Sequence, residues 1–294
     1  MSTVLVTGAT GNIGSALVPL LTARGATVAA LVRDPSRAES IRGDNVSISP
    51  GDFADPASLR AAVEGADSVF LACGNVPDQV AYECAVIDEA ARAGVRRIVK
   101  LSARGAAADS PVAYWRWHHQ IERHLTASKV PAVVLQPSFL MTNFFGAAEH
   151  VRDRGMLFAP AGSARISMIH PADVAEVAAV TLTSGGHTGQ TYVLTGPEAI
   201  SDEQVAADLS VATGQSVGYA NIPPEAARSA LVEAGLPPFA ADQFVALFAE
   251  LRQGAQSETT DAVRTITGRA PRTFAAFARE YASVFRAGVV PVGA

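Results

Sequence analysis

Short apolar runs alternate with longer alanine-rich stretches over the first 136 residues of the chain. The apolar runs are rich in β-branched side chains and predict strands, whereas the stretches between them predict helices. Parallel strands need helical crossovers, and strands that are apolar throughout are typical of a sheet with helices on both faces. The alternation therefore predicts an α/β fold with a Rossmann-type, doubly wound parallel sheet.

The boundaries of these elements follow from local signals. The predicted strands cover Val4–Thr7, Thr27–Val32, Val46–Ser49, Ser68–Ala72, Arg97–Ser102 and Ala132–Gln136. The first three helices are predicted over about Asn12–Arg24, Pro56–Val63 and Pro77–Ala93. Ser110 is expected to be the N-cap of a fourth helix that ends near Ser128, with Pro111 at its first position. Gly25 and Gly94 are expected to end the first and third helices as C′ glycines.

A glycine-rich turn follows the first strand and opens the first helix, with the spacing G-x-x-G-x-x-G. Gly8 permits a tight turn, Gly11 lets the backbone approach a diphosphate, and Gly14 lets the helix pack closely on the strand. The free N–H groups of the helix start favour phosphate. The other candidate binding residues of this turn are Thr10, Asn12 and Ile13. The context predicts a dinucleotide site, and a glycine turn without a ligand is the alternative.

The end of the second strand favours NADP(H) over NAD(H) as the dinucleotide. Arg33 follows this strand, and a guanidinium there can pair with a ribose 2′-phosphate, with help from Ser36 or Arg37. Asp34 keeps NAD(H) open, because an acidic side chain near this position accepts a hydrogen bond from the 2′-hydroxyl. The alternative for Arg33 is a solvated loop side chain.

Two further strand ends offer cofactor contacts. Asp52 and Phe53 follow the third strand and can offer a carboxylate and a ring to adenine, or else a turn cap and a core side chain. Ala72, Cys73 and Gly74 end the fourth strand, where small residues let the backbone approach the dinucleotide. We expect Cys73 to be a small buried hydrophobe rather than a reactive thiol.

The alternation loosens after about residue 139. Strands are predicted at Ala164–Ile169 and Gln190–Leu194 with a helix over about Pro171–Thr183 between them, and Ser201 to Gln204 has capping-box spacing. The C-terminal part predicts a smaller, mixed and mainly helical lobe. We expect residues 1–150 to form the nucleotide-binding core, residues 164–196 to return to its sheet, and residues 197–294 to form a substrate lobe across a cleft.

Composition and charge argue against several classes of protein. With 23 basic and 28 acidic residues the net charge is −5, so binding of nucleic acid through its phosphates is not expected. Two cysteines are too few for a disulfide framework. The N-terminus lacks the features of a signal peptide, and glycine and proline interrupt the longest uncharged stretches, so we expect a cytoplasmic protein without a membrane span.

Several motifs together resemble the NmrA-like, atypical branch of the short-chain dehydrogenase/reductase superfamily. They are Thr7–Gly14, Arg33, Gly51-Asp52, Lys100-Leu101-Ser102, His118-x-x-x-Glu122-x-x-Leu125, Gln136–Phe139, Ile169–Ala175 and Thr267–Phe274. Within this branch the chain is most similar to NADPH-dependent quinone oxidoreductases and triphenylmethane reductases. The resemblance implies a Rossmann core, NADP(H) at the glycine turn, and a substrate cleft beneath the C-terminal lobe. It also implies cofactor contacts from Pro137, Ser138 and Phe139.

The catalytic set departs from that of typical short-chain dehydrogenases, which place a tyrosine and a lysine four residues apart on one helix. Here Tyr114 is followed at that spacing by His118, which removes the fixed cation. The resemblance favours His118, with a pKa in the usable range, bonding the nicotinamide ribose, a substrate oxygen or both; an ion pair with Glu122 is the alternative. Tyr114 is a second candidate or a cleft-lining ring, and Ser102 is a third candidate or a loop cap.

Other polar clusters receive structural interpretations. His118, His119 and His124 do not converge on one helix face, so no metal site is expected. Asp173 is expected to support the first turn of its helix. The basic residues Arg92, Arg96, Arg97, Lys100 and Arg104 are expected to lie on a solvated edge.

These observations lead to one leading hypothesis and two alternatives. The leading hypothesis is an NADPH-dependent oxidoreductase that transfers hydride to a quinone or a conjugated or aromatic carbonyl acceptor, with His118 or water supplying protons. The alternatives are a non-catalytic NADP(H)-sensing regulator of the NmrA type and a tailoring reductase of secondary metabolism. The sequence predicts a small-molecule partner but neither the identity of the acceptor nor the oligomeric state.

Overall fold

A seven-stranded sheet is the centre of the computed structural model, which describes residues 2–286. The strands in this range are β1 (Thr3–Val6), β2 (Thr27–Val32), β3 (Val46–Pro50), β4 (Ser68–Leu71), β5 (Arg97–Leu101), β6 (Ala132–Pro137), β7 (Met156–Ala159), β8 (Thr191–Leu194) and β9 (Gly218–Asn221). The order in the large sheet is β3-β2-β1-β4-β5-β6-β8, and every neighbouring pair is parallel. The predicted Rossmann-type parallel sheet is confirmed, with its switch point between β1 and β4.

Helices cover both faces of this sheet. The helices of the described residues, including those of the C-terminal lobe, are α1 (Gly14–Ala23), α2 (Pro56–Val63), α3 (Gln79–Arg92), α4 (Ala113–Ser128), α5 (Ala148–Arg154), α6 (Pro171–Thr183), α7 (Asp202–Thr213), α8 (Pro224–Glu233), α9 (Pro238–Arg252), α10 (Ala262–Thr267), α11 (Phe274–Glu280) and α12 (Ala282–Phe285). One hydrophobic cluster joins α1 and α6 to the sheet, and another joins α2, α3 and α4 to it. This arrangement explains why all four residues of β4 are buried. Among the described residues, none of the helices is long and apolar enough to cross a membrane.

Local signals in the sequence set several helix ends as predicted. Gly25 has φ +80°, and its N–H donates to the carbonyl oxygen of Thr22 at 2.9 Å, beyond the last turn of α1. Gly94 has φ +71° after α3. At the start of α7, Ser201 and Gln204 form the reciprocal hydrogen bonds of a capping box. These three predictions are confirmed.

A third hydrophobic cluster forms the interior of the C-terminal lobe. Leu157 of β7, Leu209 of α7, Phe248 of α9 and Phe277 of α11 all belong to it. β7 and β9 pair in parallel as a separate two-stranded sheet, so the lobe is mixed and mainly helical. Residues from about 141 to 161 contribute to this cluster, whereas Val263 of α10 packs back into the core under α6.

The predicted strand at Ala164–Ile169 is wrong. The segment forms only isolated bridges, from Ile169 to Leu140 and from Ile166 to Ile200. β8 pairs directly with β6 and takes the position at the edge of the sheet. The N–H of Ser167 donates instead to the carbonyl oxygen of Gln256 at 2.8 Å, so the segment connects the sheet to the lobe.

The predicted start of α4 is also wrong. The helix begins at Ala113, with Val112 as its N-cap. Ser110 accepts a hydrogen bond on Oγ from the N–H of Val112 at 3.1 Å, which forms a turn before the helix. The N–H of Ala113 donates to Oε1 of Gln243 on α9 at 2.6 Å. The lobe thus supplies the cap that the sequence suggested Ser110 would provide.

Candidate functional site

The glycine turn is fixed to the switch point of the sheet by Thr7. Its Oγ1 donates to the carbonyl oxygen of Ala72 at 2.9 Å and accepts from the N–H of Ala72 at 2.8 Å. The N–H of Gly11 donates back to the carbonyl oxygen of Gly8 at 3.0 Å, which closes the turn. The ends of β1 and β4 therefore hold the turn at the carboxyl edge, where ligands bind in sheets of this class.

Glycine is required at two positions of the turn. Gly8 has φ +62°, and a Cβ there would lie 3.1 Å from the carbonyl oxygen of Ala72. A Cβ on Gly14 would lie 2.2 Å from the carbonyl oxygen of Gly8 and 2.8 Å from Cα of Ala9. Such distances are far inside van der Waals contact, so the helix can approach the turn this closely only if position 14 lacks a side chain.

The turn leaves backbone donors unpaired at the start of α1. Within residues 2–286 the N–H groups of Thr10, Asn12 and Ile13 make no hydrogen bond. Ile13 is the N-cap residue and provides no side-chain cap, while Thr10 and Asn12 are exposed. Unpaired donors at the positive end of a helix dipole suit a phosphate oxygen. The turn therefore fits the diphosphate of a dinucleotide.

The end of β2 leaves Arg33 free. β2 lies beside β1 in parallel register, with Val6 opposite Ala30, so Arg33 follows at the same edge as the glycine turn. Its side chain is exposed and forms no ion pair in the described part of the chain. Asp34 is engaged elsewhere, because its Oδ1 accepts from the N–H and the hydroxyl of Ser36 at 3.0 and 2.7 Å. These two bonds lower the pKa of the Asp34 carboxyl.

The other candidates for contacts to adenine, or from the backbone to the dinucleotide, lie along the same carboxyl edge of the sheet. Oδ1 of Asp52 accepts from the N–H of Ala54 at 2.9 Å, so this carboxylate caps a turn with one oxygen. The ring of Phe53 stacks on Tyr82 with centroids 6.0 Å apart. Ala72 is buried and Gly74 is exposed. Burial raises the pKa of the half-buried Cys73 thiol to about 11, so it stays protonated at neutral pH.

The segment after β6 uses its own donors internally. The N–H of Ser138 donates to the carbonyl oxygen of Leu194 at 2.9 Å, and its hydroxyl donates to the carbonyl oxygen of Ser167. The N–H of Phe139 donates to Oε1 of Gln256 at 2.7 Å. Pro137 has no N–H and is buried. The donors of Ser138 and Phe139 are therefore already paired. Contacts from this segment to a cofactor would not be hydrogen bonds donated by these two residues.

His118 accepts a hydrogen bond from a buried lysine instead of pairing with Glu122. Nζ of Lys100 lies 3.2 Å from Nδ1 of His118, whose residue is 8% exposed. An ammonium group only donates, so Nδ1 is the acceptor and the ring proton lies on Nε2. This Nε2–H makes no hydrogen bond within residues 2–286, and it is not fully enclosed by protein.

The environment keeps the His118 imidazole neutral. Burial, and then the adjacent Lys100 ammonium, hold the pKa of His118 well below its ordinary value. The expectation of a pKa in the usable range is therefore wrong. His118 can donate a hydrogen bond through Nε2 but does not carry a spare proton at neutral pH.

Lys100 itself is completely buried, contrary to the solvated edge expected for the basic residues around it. Its Nζ lies 2.8 Å from Oε2 of Glu83 and also donates to the carbonyl oxygen of Leu101. Nε2 of Gln79 donates to the other Glu83 oxygen at 3.0 Å. Burial raises the pKa of the Glu83 carboxyl, against the attraction of Lys100.

Glu122 belongs to a different group. It accepts hydrogen bonds on Oε1 from the hydroxyl of Ser102 and, at 2.9 Å, from Nε2 of Gln136. Ser102 is thus tied to α4 and is 4% exposed. Its hydroxyl proton is committed to Glu122, so Ser102 retains only acceptor capacity for a ligand.

Tyr114 lies one helical turn before His118, within an aromatic group. Its ring is 5.2 Å from that of Trp117, and the ring of Phe239 from α9 stacks on Trp117 at 5.7 Å. Tyr114 is half-buried, and burial raises the pKa of its phenol. Phe239 is 45% exposed, so this aromatic group meets solvent where the lobe faces α4.

Sequence reasoning missed two residues that organise the site. Lys100 stands between Val99 and Leu101 in an apolar strand, and a buried charge at such a position requires a partner. The sequence therefore already indicated a buried ion pair for Lys100. Gln256 bonds the N–H of Phe139 and, through Nε2, the carbonyl oxygen of Arg104 at 3.1 Å. No local pattern marks Gln256, because both partners are more than 100 positions away in the sequence.

Comparisons with known proteins agree with this geometry. A sequence model described as the NmrA-like family matches residues 1–277. The NAD(P)H azoreductase of Xenophilus azovorans is 39% identical over 284 residues, covering 97% of this chain and 99% of that protein. The (4-alkanoyl-5-oxo-2,5-dihydrofuran-3-yl)methyl phosphate reductase of Streptomyces griseus is 36% identical over 285 residues, covering 96% and 99%.

The fold is also that of a solved reductase. The NADPH-dependent quinone oxidoreductase of Escherichia coli, crystallised with NADPH, superposes with a TM-score of 0.86 at 26% identity. The match covers 95% of this chain and 99% of that one. The likeness therefore extends through both the sheet and the C-terminal lobe.

Proposed function

Since this chain belongs to the NmrA-like family, we propose that it is an NADPH-dependent oxidoreductase that reduces a quinone or another conjugated carbonyl acceptor. The names of its relatives support an enzyme, because the two described above are an azoreductase and a reductase. The observation that carries the proposal is the glycine turn, whose unpaired N–H groups lie at the same edge as the free guanidinium of Arg33.

The cofactor half of the proposal follows from the residues at this edge. The N–H groups of Thr10, Asn12 and Ile13 would hold the diphosphate, and Arg33 would bind the 2′-phosphate. Asp34 already caps the turn after β2, because one of its oxygens accepts two hydrogen bonds from Ser36. When bound, the dihydronicotinamide supplies the hydride.

The choice of acceptor rests on the chemistry that the named substrates of the relatives share. An azo group, a 5-oxo-2,5-dihydrofuran and a quinone are all conjugated systems in which hydride addition places negative charge on nitrogen or oxygen. Such acceptors need a hydrogen-bond donor for that charge more than they need a strong acid. The chain offers such a donor in the Nε2–H of His118.

His118 would stabilise the developing anion without losing its own proton. Its neutral ring donates through Nε2, and solvent protonates the reduced product. Tyr114, Trp117 and Phe239 would form an aromatic wall beside this donor, which suits a flat substrate. Ser102 would accept a hydrogen bond from the ligand, because its own proton is committed to Glu122.

Steady-state oxidation of NADPH against a panel of benzoquinones, naphthoquinones, enones and azo dyes tests the proposal. We expect turnover with at least one quinone or enone. His118→Ala should lower kcat about 10- to 100-fold, because one donor to the developing anion is lost. His119→Ala, which changes the next residue on the same helix, is the matched control and should leave kcat unchanged. Tight NADPH binding without turnover of any acceptor would contradict the proposal and favour the regulatory alternative.

A further inference from the structure

Four polar side chains form a continuous buried ladder between α3, β5 and α4. Gln79, Glu83 and Lys100 are each 0% exposed, and His118 is 8% exposed. Each contacts the next at 3.2 Å or less. Burying a lysine and a glutamate removes both from water, and hydrophobic side chains of similar volume often replace such a pair at no loss of stability. The ladder is therefore better explained by the group at its outer end, His118, than by stability alone.

We propose that Lys100, held in place by Glu83, is a positioning residue that fixes His118 with its Nδ1 as acceptor and its Nε2–H directed toward the substrate. This inference deepens the proposed function and rests on it for the identity of the substrate oxygen. Lys100 would supply from the sheet the fixed cation that typical short-chain dehydrogenases place on the helix four residues after the tyrosine.

Three contacts hold the ammonium group of Lys100 in one position. The Lys100 ammonium donates to the carbonyl oxygen of Leu101 and to Nδ1 of His118, and it forms an ion pair with Oε2 of Glu83. Gln79 holds the second oxygen of Glu83 at 3.0 Å, so the carboxylate cannot rotate away freely. A proton on Nδ1 would place two hydrogen-bond donors 3.2 Å apart. The contact with Lys100 therefore fixes the tautomer of His118 that carries its proton on Nε2.

The same contact tunes the strength of the donor. A positive charge beside Nδ1 withdraws electron density from the ring, so the opposite N–H carries more positive charge. That N–H then stabilises a developing oxyanion better than an isolated neutral imidazole does. The positioning residue thus acts on the reaction through His118, without touching the substrate itself.

The ionisable groups that face Lys100 come from three elements. Glu83 and Cys84 lie on α3, Cys73 follows β4, and His118 lies on α4. Burial raises the pKa of both thiols to about 11, so neither titrates near neutral pH. A change in the nitrogen signals of His118 between pH 6 and 9 would therefore not come from either cysteine.

The experiment compares the wild-type protein with Lys100→Met/Glu83→Gln. The double variant removes both charges, which avoids leaving Glu83 buried and uncompensated as Lys100→Met alone would. Lys129→Met is the matched control, because Lys129 is the only other lysine and is exposed. Thermal unfolding and the Kd for NADPH establish that each variant is folded and binds the cofactor.

Two readouts follow, one independent of turnover. Nitrogen-15 NMR of labelled histidines, with His118 assigned through His118→Ala, should show a protonated Nε2 and a hydrogen-bonded Nδ1 from pH 6 to 9. In the double variant the Nδ1 signal should move to its unbonded position, and kcat should fall about tenfold with the Kd for NADPH within twofold of wild type. Lys129→Met should change neither readout.

The outcomes separate the inference from the proposed function. A proton on Nδ1 in the wild type would overturn the inference. It is equally overturned if the double variant keeps the wild-type nitrogen signals, or if these signals move while kcat does not. A wild-type protein that turns over no acceptor but shows the expected nitrogen signals contradicts the proposed function and leaves the geometry of the ladder standing.

Discussion

Replacing Gly14 with alanine tests the proposed binding of a diphosphate by the glycine turn. The added Cβ would lie 2.2 Å from the carbonyl oxygen of Gly8 and 2.8 Å from Cα of Ala9. Both neighbours are backbone atoms, so no side chain can rotate away to relieve the overlap. The helix and the turn must therefore separate, which displaces the unpaired N–H groups at the start of α1.

The size of the effect follows from that overlap. Ordinary contacts of a Cβ lie at about 3.4–4 Å, so the turn must open by more than about 1 Å. Overpacking of this kind costs about 1–3 kcal/mol, and part of it appears as weaker binding because the displaced donors no longer converge on one phosphate. We expect the Kd for NADPH to rise about 10- to 100-fold, at about 1.4 kcal/mol for each factor of ten.

Isothermal titration calorimetry with NADPH measures the loss, and thermal unfolding shows whether the variant remains folded. Gly43→Ala is the matched control, because a Cβ at Gly43 meets nothing within 4 Å and its φ is not positive. It should bind NADPH as the wild type does. If Gly14→Ala remains folded and binds NADPH within twofold of wild type, the assignment of the turn to the diphosphate is refuted.

Three further substitutions give distinct readouts. Arg33→Ala should weaken NADPH binding about 10- to 100-fold and leave NADH binding unchanged, because one charge-assisted contact to the 2′-phosphate is lost; equal losses for both would refute its role in selectivity. Burial raises the pKa of Asp202 to about 6, so its carboxyl destabilises the fold progressively as pH rises from about 4 through 6, by at most about 3 kcal/mol. Asp202→Asn should therefore be more stable than wild type in urea unfolding at pH 8 but not at pH 4, and a difference independent of pH would refute this. Gln256→Ala should lower the free energy of unfolding by about 2 kcal/mol, since it leaves the N–H of Phe139 and the carbonyl oxygen of Arg104 unpaired; no change would show that water replaces it.

The sheet and the turn were predictable because their signals are local. A strand, a glycine turn and a helix are adjacent in the sequence from Val4 onward, and the alternation that follows has one compact solution. The same holds for Gly25 and for the capping box at Ser201, where the conformation depends on neighbours within four residues. The carboxyl edge of the sheet therefore followed from the sequence with most of its candidate cofactor residues.

The lobe and the contacts of the candidate catalytic residues depend on partners that are distant in the sequence. β7 (Met156–Ala159) contains no β-branched residue and β9 (Gly218–Asn221) begins with glycine, so neither resembles a strand until the two pair across about 60 positions. Ser110 has the composition of an N-cap, but Gln243 of α9 provides the cap at Ala113. The family resemblance pointed to His118 at its spacing from Tyr114, whereas its partner Lys100 comes from the sheet.

The proposed function depends above all on joint binding of NADPH by the glycine turn and Arg33. Calorimetric titration of the purified protein with NADPH and, separately, with NADH measures this most directly. We expect saturable NADPH binding that is at least about tenfold tighter than NADH binding, because only NADPH presents a 2′-phosphate to the guanidinium of Arg33. Equal affinities, or no uptake of either dinucleotide at millimolar concentration, would contradict it.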